Sequence, residues 1–158
     1  MKPQFIGVAL FLVSSLAGAQ FMPNQTLTPG AVASISPARV CVAGYAEASR
    51  NVSRATLKKV YEKYGIVKAN CKNGCKVDHL VPLAIGGSNK ITNLWPHEYG
   101  SEWTPYEKTR LEVRLRKEVC SGAMPILAAQ DCIRTDWTKC YQHFYPGEHQ
   151  KRLNTKKE

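Results

Sequence analysis

The spacing of hydrophobic residues changes several times along the chain, and each change marks an element. Residues 5–13 are apolar throughout, preceded by Lys2 and followed by the small-residue run Ser14-Ser15-Leu16-Ala17-Gly18-Ala19. A short positive end, an apolar centre and a small-residue close make a secretory signal, whereas a membrane anchor needs roughly 18 continuous apolar residues. Residues 1–19 are therefore expected to be a signal peptide cut near Ala19, which places the mature protein outside the cell or in the periplasm. Residues 20–40 show no period and are rich in Pro, Ser, Thr, Gly and Ala, the pattern of a flexible leader. From Ser53 the period becomes helical: Leu57, Val60, Tyr61 and Tyr64 share one stripe, Ser53 caps the start and Gly65 ends it.

Two β-rich runs follow. Residues 76–83 and 91–95 read as strands, and the Gly-Gly stretch between them closes a hairpin. Thr104-Pro105-Tyr106-Glu107 then combines an N-cap, a proline at the first helical position and a glutamate three after the cap. That helix should reach Val119, with Leu111, Leu115 and Val119 inward and Gly122 beyond its end. A last helix begins after Pro125 and carries Ala129, Ile133, Trp137 and Tyr141 on its buried stripe. Residues 146–158 read as a frayed basic tail. The fold class is α+β, a hairpin packed with helices, in one domain over residues 41–145.

Composition narrows the partners. The 158 residues carry a formal charge of +10 and a pI near 9.4, so the surface should attract polyanions such as nucleic acid. There is no Walker or Rossmann glycine pattern, and nothing after the signal could insert stably in a membrane. Six cysteines, at 41, 71, 75, 120, 132 and 140, form an even set in an exported chain and read as disulfides. One pairing is excluded if residues 126–141 form a helix, because Cys132 and Cys140 would then lie about 12 Å apart along its axis, beyond disulfide reach. The alternative use of Cys71 and Cys75, as half of a zinc site, lacks a second close pair.

The stretch Val77-Asp78-His79-Leu80-Val81-Pro82-Leu83, then Gly86-Gly87-Ser88-Asn89, then Asn93-Leu94-Trp95-Pro96, sets an acid, an imidazole and an amide around the Gly-Gly turn. In this order, with a basic helix behind, the segment resembles the HNH, or ββα-metal (His-Me finger), endonucleases. The likeness extends to small exported bacterial members through Cys41-Val42-Ala43-Gly44-Tyr45 and Lys108-Thr109-Arg110-Leu111-Glu112, so that it spans about residues 40–141. It implies a ββα-metal finger, stabilised by disulfides, that hydrolyses phosphodiester bonds of DNA, with RNA as the alternative substrate, with low sequence specificity and as a monomer.

By that resemblance His79 is the general base, a role that an imidazole with a pKa near 6.5 can fill at neutral pH. Asp78 is the ligand of one divalent ion, Mg²⁺ or Mn²⁺, which suits oxygen donors. Asn93 has two duties open to it, orienting His79 or helping to hold the metal. The family's terminal His or Asn on the helix is missing here, and Glu112 is the expected substitute, since Glu107 is already explained by the capping box. Lys108 and Arg110 are candidates for phosphate contacts. Adjacent strand residues face opposite ways, so joint action of Asp78 and His79 calls for a bulge. Trp95 is assigned to the core, and His97, His143 and His149 to the surface, with His97 nearest the cleft. The alternative function is an inactive basic protein that binds nucleic acid or another polyanion.

Overall fold

A computed structural model describes residues 21–156; the signal peptide expected over residues 1–19 lies outside them. Among these residues there are six helices, a two-stranded antiparallel sheet and three disulfides, an α+β architecture. Two short helices, α1 (Pro37–Val40) and α2 (Tyr45–Ser49), precede α3 (Arg54–Lys63). The hairpin is β1 (Cys75–His79) with β2 (Leu94–Glu98), and then come α4 (Pro105–Cys120), α5 (Ile126–Phe144) and α6 (Glu148–Thr155).

The helices with the clearest local signals form where expected. Ser53 caps α3 by accepting from the Thr56 amide at 3.1 Å. Thr104 and Glu107 close a complete capping box at the start of α4. The hairpin is displaced from its expected bounds. The first strand ends at His79 instead of residue 83, and residues 91–93 wind into a 3₁₀ turn, so β2 starts at Leu94 and runs through His97. Pro82 explains part of this, because it cannot donate to a ladder and the chain turns there into a 3₁₀ segment over Leu83–Ile85.

The hairpin is covered on both faces. Tyr61 and Ile66, in and just after α3, pack with Cys71 on one side, against Val77 and Cys75. On the other, Trp95 joins Leu111, Leu115, Ile133 and Trp137 of α4 and α5 in the main core, together with Val40 and Leu80. Fully burying an aliphatic or aromatic side chain stabilises by about 1.5–3 kcal/mol, so this layer is the main source of rigidity behind the hairpin.

The segment before α2 is no loose leader. Val32 bridges to Gly87, Thr28 donates to the Leu94 carbonyl at 2.9 Å, and Gln130 of α5 donates to the carbonyls of Ser34 at 2.8 Å and Ile85 at 2.7 Å. The Gly-Gly turn is what lets this backbone approach. A Cβ on Gly86 would strike the Ser34 carbonyl, and one on Gly87 the Val81 carbonyl.

The tail also differs from expectation. Residues 148–155 form α6, which docks through buried His149: its Nδ1 lies 2.7 Å from Glu107 and its ring stacks on Trp103 at 3.5 Å. Arg152 adds a 3.0 Å contact to the same carboxylate. Burial opposes the Glu107 charge, but the Thr104 amide, His149 and Arg152 outweigh it and hold its pKa below the usual value.

Disulfides join Cys41 to Cys120, Cys71 to Cys75 and Cys132 to Cys140. The last is the pairing that a straight helix forbids. α5 is not straight: Asp136 leaves helical geometry at φ −159°, ψ 94°, and its carboxylate accepts from the Thr138 and Lys139 amides, both at 3.1 Å, starting the helix afresh. The bend brings the two Cα atoms to 5.4 Å. The Cys71–Cys75 bond uses both thiols of the candidate zinc half-site, and that alternative falls. Three disulfides fit folding in an oxidising compartment. Among the described residues no helix is long and apolar enough to cross a membrane.

Candidate active site

Asp78 and His79 end β1 on a ladder with unbroken register, Asp78 opposite Trp95 and His79 opposite Leu94. The bulge expected there is absent. The two side chains keep the strand's alternation and take different partners. Asp78 faces β2 and α4. Its Oδ2 meets His97 Nδ1 at 3.1 Å and Lys76 Nζ at 3.2 Å, while its Oδ1 accepts the His79 amide at 3.0 Å. Burial alone would raise the Asp78 pKa, but Lys108, the His97 hydrogen bond and Lys76 prevail and hold it well below the carboxylate range.

Lys108 is fully buried, and its ammonium donates to the His79 carbonyl at 2.6 Å and to Glu112 Oε1 at 2.6 Å. This corrects its expected role: it is an internal cation that neutralises the carboxylates and ties α4 to β1, and it does not face a flanking phosphate. Arg110 is also displaced from the site. Two residues, or about 200° around the helix, separate it from Lys108's face, and it pairs with Glu148 at 3.5 Å and lies over the Tyr145 ring at 4.0 Å. It lines a separate cleft of about 380 Å³ with Tyr99, Tyr106 and Tyr141.

Asn93 is fully buried at the turn into β2. Its amide donates to the Val81 and Ser88 carbonyls, both at 2.8 Å, and its oxygen accepts the Val81 amide at 2.9 Å. All these bonds go to the Gly-Gly loop, so Asn93 holds the loop, and its partners include neither the His79 ring nor an acidic group.

The ring partner of His79 is a residue the motif reading passed over. Asn89 Oδ1 lies 3.1 Å from His79 Nε2, and Asn89 Nδ2 donates to the Ser49 carbonyl at the end of α2 at 2.7 Å. Burial lowers the His79 pKa, Asn89 and Asp78 raise it, and Arg50 and Lys108 lower it again; the balance is below the usual imidazole value. His79 is therefore neutral at neutral pH. Arg50, exposed immediately after α2, is a cation near His79, while Lys76, partly exposed, pairs with Asp78 on the opposite face of the strand. Their sequence signal was present, since Arg50 lies just beyond the Cys-x-x-Gly-Tyr segment. Its distance from His79 along the chain concealed their proximity.

His97 is fully buried and not on the surface. Its Nε2 lies 2.8 Å from the Trp103 carbonyl and its ring stacks on Trp95 at 4.1 Å. Burial lowers its pKa further than the Asp78 bond raises it. His149 is likewise buried, whereas His143 is exposed as expected.

No family model, curated protein or solved structure matches this chain.

A divalent ion needs open oxygen donors, and Mg²⁺ typically takes one or two carboxylates together with water and substrate phosphate. Asp78 and Glu112 are the oxygen donors at hand, but Asp78 is bonded through both oxygens and Glu112 is paired through Oε1 with Lys108. Among the described residues no group of three or more His, Cys, Asp or Glu side chains gathers to hold a metal. The side-chain arrangement does not fit a preformed metal site, because lysine ammoniums already balance the two carboxylates.

Proposed function

We propose that this protein is an exported nuclease of the HNH, or ββα-metal, type, acting on DNA, with RNA as the alternative substrate, with little sequence preference and with His79 as general base. The observation that carries this reading is His79 itself: a neutral imidazole at a strand end, held by Asn89 and flanked by the exposed cation Arg50. A phosphodiester is anionic and its hydrolysis requires a proton to leave the attacking water. A positioned neutral imidazole beside accessible positive charge supplies both needs. The surplus positive charge of the chain favours a polyanion independently of sequence. The three disulfides and the apolar N-terminal stretch support secretion or a periplasmic location.

The test is incubation of oxidised mature protein with supercoiled DNA and with RNA, each with Mg²⁺, Mn²⁺ or EDTA. Cutting by the wild type, and a loss of about 10²–10⁴-fold in folded His79→Ala, is the expected result. Cation-dependent cutting would mean that a divalent ion takes Asp78 from Lys76, while cutting in EDTA would assign the site's positive charge to its lysines. A second reading, binding of nucleic acid without cleavage, is favoured by the lysine-paired carboxylates at Asp78 and Glu112; bound but intact DNA in every arm would establish it.

A further inference from the structure

The hydrogen bonds around Asn89 have a direction, and that direction reaches the imidazole. The Ser49 carbonyl can only accept, so the Asn89 atom 2.7 Å from it must be the amide nitrogen. The Asn89 oxygen then faces His79 Nε2 at 3.1 Å, and an amide oxygen can only accept. Nε2 must therefore carry the hydrogen. In a neutral imidazole this leaves Nδ1 as the atom with the free lone pair. Among the described residues Nδ1 has no hydrogen-bond partner, and it is not one of the buried unpartnered atoms, so solvent reaches it.

We infer that Asn89, anchored on the Ser49 carbonyl, is a positioning residue that fixes His79 in the Nε2–H tautomer and makes Nδ1 the atom that accepts the proton of the attacking water. The consequence for the reaction rests on the nuclease reading above; the tautomer does not. The device also explains why α2 matters to a site on the hairpin. Ser49 is the last residue of α2, and its carbonyl sets which way the Asn89 amide faces. An amide free to rotate could present its nitrogen to the ring instead, which would select the opposite tautomer and point the lone pair inward.

The experiment is long-range ¹H–¹⁵N correlation of the imidazole nitrogens in histidine-labelled, oxidised mature protein at neutral pH, with His79 assigned by comparison with His79→Gln. The expected spectrum shows a protonated Nε2 and a pyridine-like Nδ1. A protonated Nδ1 in the wild type overturns the inference whether or not the protein cuts DNA. In Asn89→Ala the two tautomers should mix, and kcat should fall by about 10–100-fold with KM nearly unchanged, by analogy with the loss when the hydrogen-bond partner that orients a metal-ligating histidine is removed. Asn89→Asp loses the bond to the Ser49 carbonyl but can present only an acceptor to Nε2, and should keep the hydrogen on Nε2. An Asn89→Ala protein with an unchanged spectrum and unchanged kcat would also overturn the inference. A wild type that holds the Nε2–H form but cuts nothing supports the tautomer assignment and fails the nuclease reading, so the two are separable.

Discussion

Replacing Lys108 with methionine keeps the length of the side chain and removes its charge from the most enclosed point of the site. The ammonium is fully buried and donates to the His79 carbonyl and to Glu112, each at 2.6 Å, while its field holds Asp78 ionised. Removing one partner of a buried ion pair costs about 3–5 kcal/mol, since the other charge is left without compensation. Glu112 keeps 21% of its side-chain exposure, so water can partly replace the lost cation and the cost should fall at the lower end, about 3 kcal/mol. For a domain of this size that is a drop of about 12 °C in Tm. The loss should depend on pH in a defined direction. Burial already raises the Glu112 pKa against the opposing effect of Lys108, and without Lys108 it rises further. A group whose pKa is higher folded than unfolded stabilises the fold at low pH and ceases to do so as pH rises through the folded value. The gap between variant and wild type should therefore be widest near neutrality, narrow as pH falls through the raised pKa of folded Glu112, and be smallest below the unfolded carboxylate value of about 4.3. Urea unfolding of the oxidised proteins across this range measures the gap. Adding Glu112→Gln to Lys108→Met should recover at least about 1 kcal/mol at neutral pH, because a neutral amide tolerates burial better than a lone carboxylate. A Lys108→Met protein as stable as wild type, or a double variant no better than the single one, would refute the internal-cation account.

Three further outcomes follow from the same geometry. The Asp78 and Glu107 pKa values are lowered in the fold, so their contribution is complete above about pH 4 and declines as pH falls toward the folded values; Asp78→Asn should be less stable than wild type at neutral pH and show a flatter acid limb in thermal melts, and an equally steep limb would contradict this. Loop-closure entropy ranks the disulfides: breaking Cys41–Cys120, with a separation of 79 residues, should cost about 4.5 kcal/mol, and breaking Cys132–Cys140, with a separation of 8, about 2.5 kcal/mol, by paired Cys→Ser variants in urea. A reversed order would show that strain, not chain entropy, governs them. Deleting residues 146–158 should lower Tm measurably, because it strips His149 and Arg152 from buried Glu107; an unchanged Tm would restore the view of a frayed tail.

Local signals in the sequence were enough for α3 and α4. Ser53 and the Thr104–Glu107 capping box act within one helical turn, so their effect needs no distant residue. The same is true of the existence of a hairpin. Asp136 belongs here too: an Asp followed two and three residues later by amides it can cap is a local helix start, and the unbroken apolar stripe from Ala129 to Tyr141 masked it. That kink, and not the helical period, decides that Cys132 can reach Cys140.

Tertiary structure alone decided which charges meet. Lys108 belongs to a basic helix whose other cations face water, and only the closure of α4 on β1 turns it inward to the His79 carbonyl. His97 looks like any histidine after a strand until the ladder sets it on the same face as Asp78 and the Trp103 carbonyl closes its other side. The leader and the tail have weak periods because much of their binding is through backbone carbonyls, single buried side chains and one arginine, as at Thr28, Ser34 and His149, which leave no repeating pattern to read. Asn89 and Ser49 are separated by 40 residues, and the direction of the hydrogen bond between them exists only once α2 and the Gly-Gly loop are side by side.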